Sequence, residues 1–290
     1  MTDVTASTLL TWPVGEVKIT CIVEQSELVR AHRMFAGATQ EAFDAIDWLK
    51  PAFCDDKGRM NFSIQCFVVE TPGKRILVDT CIGNDKKRTH HGAMLQTDFL
   101  RRFEAAGFRR EGIDIVLCTH LHYDHVGWNT MLADGRWVPT FPNARYLMGR
   151  AEFDEFKKAA REDDAQIFAD SVQPILDAGL VDLVETDHVI CEQARLTPTP
   201  GHTIGHVSVR ISSKGETAFI SGDMAHHPCQ FVHPHWHNHN EFHVGDAVAT
   251  RRRVFRECAE DGTLFIGSHF YAPTAGRVVR DGETYRFETV

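Results

Sequence analysis

The chain has 290 residues, 43% of them hydrophobic and 24% charged, with a formal net charge of −9. That length is ample for a buried core, and the balance is that of a globular protein rather than a disordered or fibrous one. An acidic chain without a block of Lys and Arg is poorly matched to nucleic acid or to an anionic membrane, so neither is expected as a partner.

The eight cysteines form no CxxC pair, and several sit in apolar runs such as "FSIQCFVVE" and "DIVLCTH". They are expected to be buried, reduced thiols, not a disulfide framework. The first twenty residues have neither a basic start nor a long apolar stretch, so no signal peptide or membrane span is expected and the default location is the cytoplasm.

In chain order, "EVKITCIV" (16–23) predicts a strand, and 41–53 is amphipathic. Strands are expected at 61–70 and 75–80, joined by a turn at Pro72-Gly73. A helix over 95–106 stops at Gly107. "DIVLCTH" (114–120) is a short apolar strand that ends in polar residues. Helices are expected at 150–161 and 164–178, and strands at 194–200, 206–212 and 217–223. A helix over 245–259 ends at Gly262, and Arg251, Arg252 and Arg253 are read as its solvated face. The strand 263–269 and a hairpin turning at Asp281-Gly282 close the chain. The pattern is mixed α and β, without a Gly-rich phosphate loop. It reads as one domain over 1–290. The first sixty residues complete a sheet and supply a lid-like segment or subunit contact, with Met34, Phe35 and Phe43 either over a substrate or in the core.

"THLHYDH" (119–125) places His120, His122, Asp124 and His125 directly after a strand end. Imidazole and carboxylate suit a borderline ion such as Zn²⁺. On an extended chain His120, His122 and Asp124 would share a face, with His125 turned towards a second ion. Three later strands also end in a ligand type: His202 in "PGHTIGH", Asp223 in "SGD" and His269 in "GSH".

From Asp79 through this HxHxDH run to His269, over about residues 61–270, the chain resembles the metallo-β-lactamase superfamily. The resemblance implies an α+β fold, a four-layer αββα sandwich with metals at one end of two packed sheets. It implies that His120, His122 and His202 hold one divalent ion, and that Asp124, His125 and His269 hold a second. The metals are expected to be zinc, with Asp223 and a hydroxide bridging them. Asp79 would orient the HxHxDH loop, with Thr119 and Thr203 as further candidates. Such a pair would supply hydroxide near neutral pH and polarise a carbonyl or phosphoryl oxygen, with Asp124 carrying a proton to the leaving group.

The superfamily hosts many chemistries. The commonest class B β-lactamases have a cysteine where Asp223 stands and usually lack a histidine at the place of His125. The flavodiiron reductases need a carboxylate in place of His122. Nucleic-acid-processing members usually bring extra domains and basic surfaces, and glyoxalase II usually adds a helical C-terminal domain. In ligand set, length and "PGHTIGH" the chain is similar to the N-acyl homoserine lactonases, except that His226 stands where they have a tyrosine that positions the substrate carbonyl. His226 is therefore a candidate donor or acid. The expected function is hydrolysis of a small-molecule lactone or carboxylic ester with an apolar portion. The alternatives are a phosphotriester hydrolase with the same site and a non-catalytic zinc-binding protein. A homodimer is plausible on resemblance alone.

Residues 225–243, "AHHPCQFVHPHWHNHNEFH", hold seven histidines. None belongs to the implied ligand set. The stretch is expected to be an irregular loop beside the pocket mouth, with Phe231 and Trp236 as apolar wall and Trp128 as a further wall candidate. His233, His235, His237 and His239, at spacing two, would share a face if extended.

Overall fold

The structure is a computed structural model that describes residues 9–88, 92–158 and 162–290. Seven strands form the first sheet: Thr11–Val14 (β1), Val17–Val29 (β2), Met60–Glu70 (β3), Arg75–Val78 (β4), Ile115–Cys118 (β5), Arg145–Gly149 (β6) and Val181–Val184 (β7). They lie side by side in chain order. The first four are antiparallel neighbours, and β4 to β7 run parallel. The second sheet also follows chain order: Val189–Cys191 (β8), Ala194–Pro198 (β9), Val207–Ser213 (β10), Glu216–Ile220 (β11), Leu264–Ile266 (β12), Ala275–Asp281 (β13) and Thr284–Thr289 (β14).

Period-two alternation sorts these strands' side chains into layers. Val69, Val78, Leu117 and Leu147 of the first sheet meet Leu196, Val209, Ile220 and Ile266 of the second in one buried cluster. The opposite face of the first sheet, with Val68, Leu77 and Val116, packs on Phe99 and Phe103 of the helix Phe99–Ala105 (α1) and on Ile175 of Gln173–Asp177. The outer face of the second sheet, with Phe219 and Phe265, packs on Val254, Phe255 and Cys258 of the helix Val244–Asp261 (α2). The order of layers is thus helix, sheet, sheet, helix, as expected.

The differences from the sequence reading have local causes. Strand β2 runs on to Val29 because it pairs along the whole of β3 through an irregularity at Val23/Gln25. Helix α1 starts only at Phe99, and Gly107, at φ +90°, lies just beyond its end. The stretch 41–53 forms only Gln40–Asp44 and a single 3₁₀ turn, Asp47–Leu49. The helix expected over 150–161 is seen as Arg150–Phe156, and its last residues, 159–161, lie outside the described residues. The helix expected over 164–178 is Glu162–Ile167, a π-helical turn and Gln173–Asp177. The sequence reading had no strand at β6 or β7. Both are parallel-paired, and β6 is buried at four of its five positions, so neither shows clean alternation.

Phe35 and Phe43 are core residues under the second sheet's outer layer, not a substrate cover. Trp128 is likewise no pocket wall: it stacks on Phe99 and donates its indole N–H to Glu24 at 2.7 Å. All eight cysteines are free, and seven are buried. No helix among the described residues is long and apolar enough to cross a membrane.

Candidate metal centre

The expected ligands converge where the loops after β5, β9, β11 and β12 meet. His120, His122, His202 and Asp223 form one group, and Asp124, His125 and His269 form another, with the potential ligand atoms of each group within 4.8 Å of one another. Asp124 does not share a face with His120 and His122. The chain turns into the short helix Tyr123–Val126 directly after His122, and this carries Asp124 to the second group. Among the described residues these are the two groups of such side chains that could hold an ion.

Asp223 lies between the groups. Its Oδ2 faces His202 Nε2 at 3.4 Å and His120 Nε2 at 3.7 Å. Its Oδ1 faces His269 Nε2 at 3.0 Å and His125 Nε2 at 3.1 Å. One carboxylate therefore offers one oxygen to each group. Its backbone is fixed by His206, whose Nε2 accepts the Asp223 N–H at 2.8 Å while Nδ1 faces Thr199. Gly222, at φ +54°, makes that approach possible, since a Cβ there would come within 2.6 Å of His206 Nε2.

Hydrogen bonds on the outer side of the imidazoles set their tautomers. Asp79 accepts the Thr119 N–H at 2.8 Å, the Thr119 hydroxyl at 2.9 Å and His125 Nδ1 at 2.9 Å. The Thr119 oxygen is thereby free to accept from His120 Nδ1 at 3.1 Å. His269 donates from Nδ1 to the Ser63 carbonyl at 2.8 Å. His120, His125 and His269 thus turn Nε2 lone pairs inward. His122 Nδ1 lies 3.0 Å from His120 Nε2 and 2.9 Å from His202 Nε2, and one nitrogen cannot donate to both. Asp223 Oδ1 is buried without a hydrogen-bond partner. Lone pairs and carboxylate oxygens that converge with too few donors between them suit divalent cations, so the residues fit a pair of metal ions.

The electrostatics agree. Burial pushes the Asp223 carboxyl up, but the charges of His125 and His269 outweigh it and hold the group well below the carboxylate range. Burial lowers His125 and His269, yet the nearby carboxylates, Asp223 foremost, leave both raised. Burial, with neighbouring imidazoles, keeps His120 and His122 well below the ordinary histidine value. The carboxylates therefore favour positive charge at the positions where the fit places cations.

Several residues of this centre were not singled out in the sequence. Glu152, buried on Arg150–Phe156, accepts from the Leu121 N–H at 3.2 Å and the Gly205 N–H at 3.0 Å, stapling the HxHxDH loop to the PGHTIGH loop. Glu24 accepts from the backbone of Ile82 at 2.8 Å and from Trp128, fixing the turn after Asp79. Asp79 itself sits at φ +59°, a conformation rarely adopted by non-glycine residues. His206 had a visible signal as the second histidine of PGHTIGH.

The His-rich stretch is not the irregular loop expected. It contains a helical turn, Cys229–Val232, and a two-residue strand, His237–Asn238, paired with Phe35–Ala36. Phe231 and Trp236 are buried in the core and do not line the cavity at His122 and His202. His226 is buried, with Nε2 3.3 Å from Asp223 Oδ2, and burial lowers its pKa. His122 and His202 open onto a cavity of about 520 Å³, whose wall includes Glu152, Glu155, Phe156, Ile204, Glu241 and Phe242. The arginine run is split: Arg252 is exposed, whereas Arg251 is fully buried and paired with Glu241 at 2.9 Å. Arg251 follows Ala247 and precedes Val254, Phe255 and Cys258 at helical spacing, which places it on the buried face of α2.

The family model of the metallo-beta-lactamase superfamily matches residues 60–269. The chain belongs to that superfamily. It is 24% identical over 170 residues to an N-acyl homoserine lactonase of Bacillus cereus, a match that covers 53% of this chain and 60% of the relative. The chain thus spans about 60% of the length of the curated relatives it matches. Among solved structures it is similar to a hydrolase of the beta lactamase superfamily named AbOPH, with TM-score 0.82 and 24% identity over 99% of this chain and 98% of that one. It is also similar to AidC, a dizinc quorum-quenching lactonase seen with N-hexanoyl-L-homoserine, with TM-score 0.79 and 22% identity over 97% of both chains. These structural likenesses establish the fold.

Proposed function

We propose that the protein is a dinuclear metal-dependent hydrolase that opens a lactone or cleaves a carboxylic ester, with zinc as its metal. The observation that carries this reading is Asp223, whose two oxygens face two separate sets of side chains. His120, His122 and His202 would hold one ion, Asp124, His125 and His269 the other, and Asp223 both. Bound there, the ions would acidify a water and polarise the substrate carbonyl.

The chain's own groups do the rest. Asp124 has Oδ2 3.6 Å from His269 Nε2 and remains 12% exposed, so it can take a proton and pass it to the departing alkoxide. His226, kept neutral by burial, supplies an N–H donor beside Asp223 for the oxygen on which charge develops. In the cavity wall, Phe156, Ile204 and Phe242 give apolar surface, while Glu155 and Asp164 outnumber Lys158 and so do not favour anionic substrates. A neutral ester with an apolar arm suits both. The likenesses to an N-acyl homoserine lactonase and to a dizinc quorum-quenching lactonase support the lactone.

Hydrolysis adds water across the acyl C–O bond and releases one proton. The test is proton release in a pH-stat with zinc-loaded protein, against lactones of rising chain length, linear esters and phosphotriesters, alongside metal content. We expect two ions per chain and lactone opening that rises with acyl length. Turnover of phosphotriesters alone would replace the substrate class, and two tightly held ions with no turnover would make the site a binding one.

A further inference from the structure

We propose that the buried Glu241–Arg251 pair is a positioning device for His202, and that it sets the affinity of the His120–His122–His202 group for a divalent ion without acting on the Asp124–His125–His269 group. The inference rests on the metal-centre reading above.

Three of the other inward-facing imidazoles have an outer partner that fixes the tautomer: Thr119 for His120, Asp79 for His125 and the Ser63 carbonyl for His269. For His202 the outer nitrogen is Nδ1, because Nε2 faces His122 and Asp223. The group that faces Nδ1 is Glu241 Oε2, at 3.6 Å. Both atoms are buried and lack a hydrogen-bond partner. A small swing of the imidazole closes the gap and places the proton on Nδ1, leaving the Nε2 lone pair in the site.

Glu241 is built into this place. Its side chain is fully buried, which is costly for a carboxylate without a partner. Arg251 binds only Oε1, at 2.9 Å, and leaves Oε2 for His202. Arg251 also donates to the carbonyls of Pro234 at 2.8 Å and Met224 at 3.2 Å, midway along the His-rich stretch and just before it. The backbone beside Glu241 is tied to the turn that carries His202: Phe242 N–H donates to the His202 carbonyl at 3.0 Å, and His243 N–H to the Gly201 carbonyl at 2.9 Å. A buried ion pair is weak evidence for stability by itself, since a well-packed apolar pair often serves as well. A carboxylate whose free oxygen faces the outer nitrogen of a ligand histidine has a more specific use. On this view the His-rich stretch serves the centre through its one buried glutamate as well as through His226.

The test is metal retention. Zinc- or cobalt-loaded wild type and Glu241→Gln are equilibrated with a graded chelator, and the metal left is counted. We expect one of the two ions in Glu241→Gln to be lost at a chelator level about 10–100-fold lower than in wild type, with the other ion unchanged. Glu241→Gln leaves Arg251 unpaired, so Glu241→Gln/Arg251→Met is measured beside it and should show the same one-ion loss. Equal weakening of both ions, or of neither, overturns the proposal. In zinc-loaded wild type, long-range proton–nitrogen spectra of ¹⁵N-labelled histidine should place the His202 proton on Nδ1, and a proton on Nε2 overturns the proposal whatever the variants do. A wild type that binds fewer than two ions defeats the metal-centre reading itself. A wild type with two ions and no one-ion loss in the variants defeats only this inference.

Discussion

Two parts of the molecule are rich in histidine, and they use it in opposite ways. At the sheet ends, five histidines from three loops gather their ring nitrogens around one carboxylate from a fourth. Of the seven histidines within nineteen residues at 225–243, His226 reaches Asp223 and the other six scatter. His227 is buried and bonded to the Phe53 carbonyl, His233 stacks on Trp236, His237 pairs with Ala36, and His243 caps α2. A metal site needs lone pairs aimed at one point. Rigid strand ends supply that aim, and local density does not.

The contrast can be broken by substitution. Asp223→Ala removes the group that joins the two ligand sets. We expect both ions to be lost and turnover to fall to background, read by metal analysis and the pH-stat. Two retained ions with full activity would sink the assignment. His226→Ala should keep both ions and lower kcat by about 10²–10³-fold, the usual loss when a donor to a developing oxyanion is removed. Unchanged kcat would make His226 a packing residue. Phe231→Ala should lower stability by about 3–5 kcal/mol in urea unfolding and leave metal content at two, because its ring lies in the core and not in the cavity.

His227 gives a smaller, pH-dependent effect. Burial lowers its pKa to about 4, while its Nε2 donates to the Phe53 carbonyl and its Nδ1 accepts from Cys229. An unfolded chain takes up this proton at about pH 6.5. The stability that neutral His227 contributes is therefore full above that pH and is lost as pH falls towards 4. His227→Gln should flatten the fall of stability with pH in that window, measured on metal-free protein. The smallest effect is expected from His235→Ala and His237→Ala, which should leave two ions and wild-type turnover. A drop to one ion would mean that the dense stretch holds a site after all.

Much of the centre was legible because each ligand follows an apolar strand or lies in the short HxHxDH run, and strand patterns survive in sequence. The grouping of Asp124 was not legible from alternation, since a helix starts at Tyr123 and changes the period. The layers were legible, but β6 and β7 were not, because parallel strands covered by neighbours carry no alternation to read. Arg251 looked solvated within its arginine run. The signal that places it inward is the apolar spacing around it, at Ala247, Val254, Phe255 and Cys258. Glu241 had no local signal. Its meaning depends on a contact with His202, which only the assembled fold creates.

The chain-order layout of the strands has a mechanical consequence. Each large sheet takes its strands from one half of the chain in chain order, so strand pairing within the two large sheets stays within a half. His120, His122, Asp124 and His125 come from the half that builds the first sheet, and His202, Asp223 and His269 from the half that builds the second. An ion in either group grips both halves at once. Metal would then act as a clamp across the seam, its binding free energy added to that of docking the halves, and withdrawing it would loosen the molecule first along the line where the two sheets meet.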